Sequence, residues 1–264
     1  MVSPLYLPAN CQAAFQLNWS LSIFASQPWG ESSQCIESLI PDFESNGIRL
    51  LEWRIMENNT AQFFVSTLPT VVPCDLVRYI KGRWQHRART VSPIVFRRNY
   101  SLASVGAAND QTLDTYVANQ TNKHRMAQDR VQTMFEEMQF HDPTIHLTVP
   151  QTNNHGRFIY ALQVVIESEG NWNDIRKTAQ EGYVAAIRKT CAKYEWRLSR
   201  IGVLANHIHI LLAAGVTYSP ESIALSFLNN LAYSQGMKPV FKFSYYAGTF
   251  GPYDRGAIWN ELRK

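Results

Sequence analysis

Two histidines separated by one isoleucine stand in an otherwise apolar run, Asn206-His207-Ile208-His209-Ile210-Leu211-Leu212. On an extended strand, side chains at i and i+2 leave the same face. His207 and His209 therefore project together, while Ile208, Ile210 and Leu212 turn the other way to be buried. Two adjacent imidazoles can bind one divalent cation once a further ligand completes the set. Upstream, Tyr116-Val117-Ala118-Asn119-Gln120 places a phenol and a carboxamide four residues apart, which is one face of a helix. A tyrosine hydroxyl is a poor nucleophile until activated. A cation held on a phosphodiester stabilises the charge that develops on its oxygens.

A phosphate-binding surface is also legible. From Leu76 to Arg98 there is no acidic residue, whereas Arg78, Lys81, Arg83, Arg87, Arg89, Arg97 and Arg98 are basic. A local cationic stripe of this kind is a candidate footprint for a nucleic-acid backbone. The nearby aromatics Tyr79, Trp84, Phe96 and Tyr100 could stack on unpaired bases, although such residues more often belong to the core. His86, His124, His141, His146 and His155 follow no ligand spacing and read as surface groups. Tyr245 and Tyr246 read as structural, with Tyr253 as the fallback nucleophile.

The elements that must position these groups occur twice. Phe15–Phe24 and Phe158–Ile166 read as strands, ending near Trp29 and Trp172. Helix-like segments follow at 31–46 and 173–194, then strands Ile48–Met56 and Arg197–Leu204, and third strands at 60–66 and 207–213. Next comes a helix opened by Pro73-Cys74-Asp75 or by Ser219-Pro220-Glu221. Val95-Phe96, Tyr100 and Gly106 align with Val240-Phe241, Tyr245 and Gly251 at one constant offset. Asn109-Asp110 caps a helix running through Tyr116 and Gln120 as far as Phe140. Residues 141–156, with Pro143, Pro150, Asn153 and Asn154, read as a linker. The resulting division is 12–123, 124–156 and 157–264.

The two copies have lost complementary parts. Where the second has His207 and His209, the first has Thr60 and Gln62; where the first has Tyr116, the second reads Trp259-Asn260-Glu261-Leu262-Arg263. One composite site would join Tyr116 and Gln120 to His207 and His209, while the other would have no group it needs. Independent decay would be expected to damage both.

A strand bearing His-hydrophobe-His after Asn, a Lys-Gly-Arg helix (Ile80-Lys81-Gly82-Arg83) and a Tyr-x-x-x-Gln helix together resemble the HUH-type single-tyrosine transposases of simple insertion sequences. That resemblance implies an α+β fold: two ferredoxin-like α/β sandwich repeats with antiparallel sheets, fused as a pseudo-dimer whose one chain replaces a homodimer. It implies Tyr116 as nucleophile and His207, His209 and Gln120 as ligands of Mg²⁺ or Mn²⁺. It also implies a single-stranded or hairpin DNA partner gripped by Lys81, Arg83, Arg87, Arg97 and Arg98, and nicking with strand transfer through a 5′-phosphotyrosine. The alternative is a non-catalytic hairpin-DNA binding protein or repressor.

Bulk properties set outer limits. At 264 residues with 45% hydrophobic and 12% aromatic content, the chain can build a packed core. Cys11, Cys35, Cys74 and Cys191 are far apart and read as free thiols of a reducing compartment. No apolar stretch approaches the roughly 20 residues of a membrane helix. No secretory leader pattern opens the chain, so a cytoplasmic location without membrane partners is expected.

Overall fold

The computed structural model describes residues 3–56, 59–91, 96–169 and 176–263. Among them are twelve strands: β1 (Gln12–Gln16), β2 (Asn18–Ala25), β3 (Ile48–Met56), β4 (Thr60–Thr67), β5 (Phe96–Val105), β6 (Phe140–His141), β7 (Gln151–Asn153), β8 (Gly156–Ile159), β9 (Ala161–Glu167), β10 (Arg197–Val203), β11 (His207–Ala213) and β12 (Ser244–Phe250). The α-helices are α1 (Ile40–Ser45), α2 (Pro73–Ala88), α3 (Asp110–Ala118), α4 (Gln120–Lys123), α5 (Asp129–Met138), α6 (Lys177–Lys193), α7 (Pro220–Ser234) and α8 (Arg255–Leu262). Val95, Trp172 and residues 173–175 of the expected second-half helix lie outside the described residues.

The fold is mixed α+β, built on two largely antiparallel sheets of six strands, ordered β3-β4-β2-β5-β8-β7 and β1-β12-β9-β11-β10-β6. Four strands from each half take the same places, β3-β4-β2-β5 in one sheet and β10-β11-β9-β12 in the other. The alternation of apolar residues on β2 and β9 fits central strands, and Trp19, Leu21, Ile23, Leu162, Val164 and Ile166 are all buried.

Each expected first strand is in fact two. The chain crosses between sheets at Leu17, so β1 pairs in parallel with β12, and again at Tyr160, so β8 pairs in parallel with β5. Leu17 and Tyr160 are buried, and their carbonyls accept from Thr67 N at 3.0 Å and Ala214 N at 3.1 Å. Because both crossing residues are as apolar as the strands around them, periodicity does not reveal the break.

The halves are locked at a reciprocal junction. Ser104 Oγ donates to Phe250 O at 2.6 Å and Thr249 Oγ1 donates to Val105 O at 2.7 Å. The same two hydroxyl oxygens accept from Ala161 N at 2.9 Å and Asn18 N at 2.8 Å. Beyond them, Gly106 bridges to Asp254 and Asn109 to Gly251. A Cβ on Gly251 would stand 2.1 Å from Ser104 O, and one on Gly106 would stand 2.6 Å from Thr249 O, so both positions need glycine.

Other expectations need correction. The 31–46 segment forms two 3-10 turns, Gly30–Cys35 and Glu37–Leu39, before the short α1. Ser33 and Ser38 hydroxyls bond back to Gly30 O and Cys35 O, competing with a regular helix. The single helix expected from 110 to 140 is three, broken at Asn119 and again at 124–128, where Met126 N donates to Gln132 Oε1 instead. The 141–156 segment is no bare linker. It carries β7 and closes a hairpin onto β8, while β6 at its start extends the other sheet along β10. No helix among the described residues is long and apolar enough to cross a membrane, and all four cysteines are free.

Replacing Gly251 by alanine forces backbone apart at the junction and should destabilise the protein by about 3 kcal/mol or more. Gly182→Ala, inside α6 with its nearest neighbour at 3.5 Å, should instead stabilise by about 0.5–1 kcal/mol. Urea unfolding of both variants checks the pair; equal effects would mean the junction tolerates separation.

Candidate functional site

His207 opens β11 opposite Glu167, and His209 follows opposite Val165. His209 is 5% exposed, and its Nδ1 lies 3.0 Å from Gln163 Nε2 on β9; its own Nε2 is buried without a hydrogen-bond partner. His207 is half-buried, with Nδ1 2.8 Å from Asn206 Oδ1, an acceptor. The two rings stand 4.9 Å apart between centroids. Burial, with the neighbouring His207 and His124, pushes His209 down to about 3, and burial with His124 lowers His207 as well. Both imidazoles are therefore neutral near pH 7, the form that can ligate a cation.

Helix α3 is carried to these histidines by sequence features of both halves. Asn109 caps it, its side chain accepting from Thr112 N at 2.9 Å. Leu113 and Val117 pack with Leu147, Leu211 and Phe250 on the outer face of the second sheet. Gly202 on β10 permits this approach, since a Cβ there would lie 2.7 Å from Val117 Cγ1. Arg200, also on β10, holds Asp114 through two bonds of 2.6 and 2.9 Å. Thr148 donates to Asp110 at 2.7 Å.

The Tyr116 ring consequently stands 5.9 Å from the His209 ring, at 80° to it. Tyr116 is 43% exposed, and Lys123 Nζ lies 4.4 Å from its ring centroid. Gln120 does not continue α3. That helix ends at Asn119, whose side chain donates back to Thr115 O at 2.9 Å. Gln120, which opens α4, is fully buried, and neither of its amide atoms has a hydrogen-bond partner. Of the four expected site residues, Tyr116 and the two histidines come together; Gln120 lies in the next turn, buried.

Sequence reasoning set aside His124, yet its exposed ring is 5.6 Å from His207. It missed Gln163, Arg200 and Gly202 as well, because their partners lie on other elements and no spacing records them. Among the described residues no group of three or more His, Cys, Asp and Glu is placed to hold a metal ion. The imidazoles that do cluster are those of His207 and His209, with His124 beside His207.

The corresponding face of the first sheet is filled differently. Gln62 Nε2 donates to Ser20 Oγ at 3.1 Å, and Phe64, Val105 and Leu262 are buried with Ile258 and Trp259 against them. The N-caps Asn109 and Asp254 set the register of α3 and α8. Counted from them, the counterpart of Tyr116 is Glu261 rather than Trp259, and Leu262 takes the place of Val117.

The basic residues lie on α2 and the start of β5. Arg83, Arg87, Arg97 and Arg98 are exposed. Lys81 is half-buried, donating to the carbonyls of Arg97 and Arg98. Arg83 pairs with Asp42 at 3.9 Å, and Arg98 Nε donates to His155 Nδ1 at 3.1 Å. A groove of about 420 Å³ runs between α2, the β7–β8 hairpin and Val216-Thr217, lined by Arg78, Lys81 and Arg98. Trp84, Phe96 and Tyr100 are buried and unavailable for base stacking; Trp84 stacks on Trp29 at 4.2 Å. Tyr245 is buried, and Tyr253 is exposed ahead of α8.

No protein-family model and no curated protein matches the chain. Among solved structures, it aligns with a protein described as a glycine cleavage system transcriptional repressor at 9% identity. That alignment covers 89% of this chain and 98% of the other, with a TM-score of 0.24. A Synechocystis aspartate kinase aligns at 11% identity over 82% of this chain and 41% of the kinase, with a TM-score of 0.19. Superpositions this loose say nothing about fold or activity.

The depressed His209 predicts a pH dependence. Its folded value of about 3 lies below the ordinary histidine value of about 6.5. On acidification the unfolded chain takes up this proton first, so stability is full above about pH 6.5 and falls toward pH 3. In chelator-treated protein, His209→Asn should flatten this part of the urea-midpoint profile. An unchanged profile would mean the ring gains protons as freely folded as unfolded.

Proposed function

We propose that the chain is an internally duplicated pseudo-dimer of two ferredoxin-like repeats that nicks and rejoins single-stranded DNA at one composite site. The observation that carries this reading is the approach of Tyr116, from the first half, to within 5.9 Å of the His209 ring from the second. At the related face of the other half, neither a tyrosine nor a histidine occupies the matching positions. A half-exposed phenol beside two neutral imidazoles is what phosphodiester cleavage by tyrosine asks for.

The donors also suit a divalent cation. His209 Nε2 and Gln120 Oε1 are buried atoms without partners, and each could offer a lone pair to an ion. His207, His209 and Gln120 would hold Mg²⁺ or Mn²⁺, and imidazole ligands make Mn²⁺ acceptable. When bound, the cation neutralises charge on the phosphate oxygens.

The protein's own groups do the rest. Tyr116 Oη attacks phosphorus, forming a Tyr–O–P bond as the P–O3′ bond breaks. The phenolic proton passes to solvent and the departing 3′ oxygen takes one up, leaving a 5′-phosphotyrosine and a free 3′-hydroxyl. Since one phosphodiester replaces another, the strand can be rejoined to a new 3′ end without ATP. Lys81, Arg83, Arg87, Arg97 and Arg98 would grip the backbone by charge.

Incubation with Mn²⁺ and hairpin-bearing single strands should leave DNA covalently attached to the protein, seen as a shifted band on denaturing gels. Tyr116→Phe should abolish that band while DNA binding persists within about twofold, and Arg97→Ala with Arg98→Ala should weaken binding and its salt dependence. Binding without any adduct from the unaltered protein would instead favour a non-catalytic hairpin-binding protein or repressor.

A further inference from the structure

Deepening the reading of that same site, we infer that Gln163 decides which ring nitrogen of His209 carries the proton, and so whether His209 can ligate a cation. The His209 ring has only two polar atoms: Nδ1 lies 3.0 Å from Gln163 Nε2, and Nε2 is buried without a partner. A neutral imidazole has one N–H. For Nε2 to offer its lone pair, the proton must sit on Nδ1, and the group opposite must accept.

The Gln163 amide can present either end, the two related by a half-turn. With its oxygen toward the ring, Nδ1 donates and Nε2 is open to a cation. With its nitrogen toward the ring, the orientation in which the amide stands here, Nδ1 accepts and Nε2 carries a proton that no protein group receives; a half-turn of the amide removes that buried, unpaired N–H. Asn206 stands with Oδ1 2.8 Å from His207 Nδ1, and in that orientation it accepts, leaving the other ring nitrogen of His207 free to ligate. Anchoring the far ring nitrogen in this way orients a metal-bound histidine and fixes its tautomer.

The other half supplies an internal comparison. Ser20 on β2 matches Gln163 on β9, since Asn18 and Ala161, two residues earlier, make the same bond to the junction hydroxyls. Gln62 matches His209 by its place on the strand, and it bonds Ser20 at 3.1 Å. Where the histidine is absent, the glutamine facing it is absent too. A glutamine needed only to fill the sheet face would have no reason to follow the histidine. Gln163 thus acts through His209 as a positioning residue.

The test uses the whole chain, metal-free and ¹⁵N-labelled. Long-range ¹H–¹⁵N correlation reads the His209 tautomer, and electron paramagnetic resonance of free Mn²⁺ reads affinity. The unaltered protein should show His209 with its proton on Nδ1. Gln163→Glu, whose carboxylate can only accept, should keep that tautomer and bind Mn²⁺ at least as tightly. Gln163→Leu should lose the tautomer preference and bind Mn²⁺ roughly 10–100-fold more weakly. A proton on Nε2 in the unaltered protein, or a folded Gln163→Leu that binds Mn²⁺ normally, overturns the inference. In either case, loss of binding in His207→Ala would leave the site itself standing. If His207→Ala binds Mn²⁺ as well as the unaltered protein does, the proposed site falls and the role of Gln163 falls with it. Should Gln163→Leu not fold, the tautomer of the unaltered protein decides alone.

Discussion

Two buried hydroxyls hold this molecule in one piece. Ser104 and Thr249, 1% and 4% exposed, each give their proton to a carbonyl of the opposite half and accept a backbone N–H beside the crossing point. Such groups cost about 1–3 kcal/mol each when buried unpaired, so the junction is stable only with both halves in this register. The strand exchange at Leu17 and Tyr160 and the glycines at 106 and 251 follow from the same close approach. Everything that brings Tyr116 toward His209 begins there, because α3 starts immediately beyond Gly106 and is laid across a sheet belonging to the other half.

The two related faces of the protein have been resolved in opposite ways. Over β10 and β11, α3 is held by a forked ion pair between Arg200 and Asp114 and by the close approach of Val117 to Gly202. Over β3 and β4, α8 buries Leu262 against Phe64 with Trp259 alongside, an apolar seam. Buried polar atoms without partners occur at both faces: His209 Nε2 and the Gln120 amide at one, Trp259 Nε1 at the other.

Much of the fold was legible. Period-two patterning located β3, β4, β10 and β11, and the Pro-Cys-Asp and Ser-Pro-Glu starts located α2 and α7 at the correct residues. Tyr100 and Tyr245, aligned at one offset in the sequence, lie on β5 and β12, and Gly106 and Gly251 follow the ends of those strands. The breaks within expected elements were not legible: Leu17 and Tyr160 are apolar like their neighbours, and Asn119 is an ordinary helix residue until its side chain bonds back to Thr115 O.

For the candidate site, the sequence by itself determined the pieces. His207 and His209 share a face because a strand has a period of two, and Tyr116 is presented on a helix because Asn109 caps it. It also recorded that the other half lacks them. The tertiary structure alone decided that these pieces meet, since the histidines, Gln163, Arg200 and Gly202 come from strands that only sheet pairing sets side by side. It likewise decided that Gln120 turns inward and that His124 joins the histidines. Local patterns fix which way a side chain leaves its own element; only packing fixes what stands opposite it.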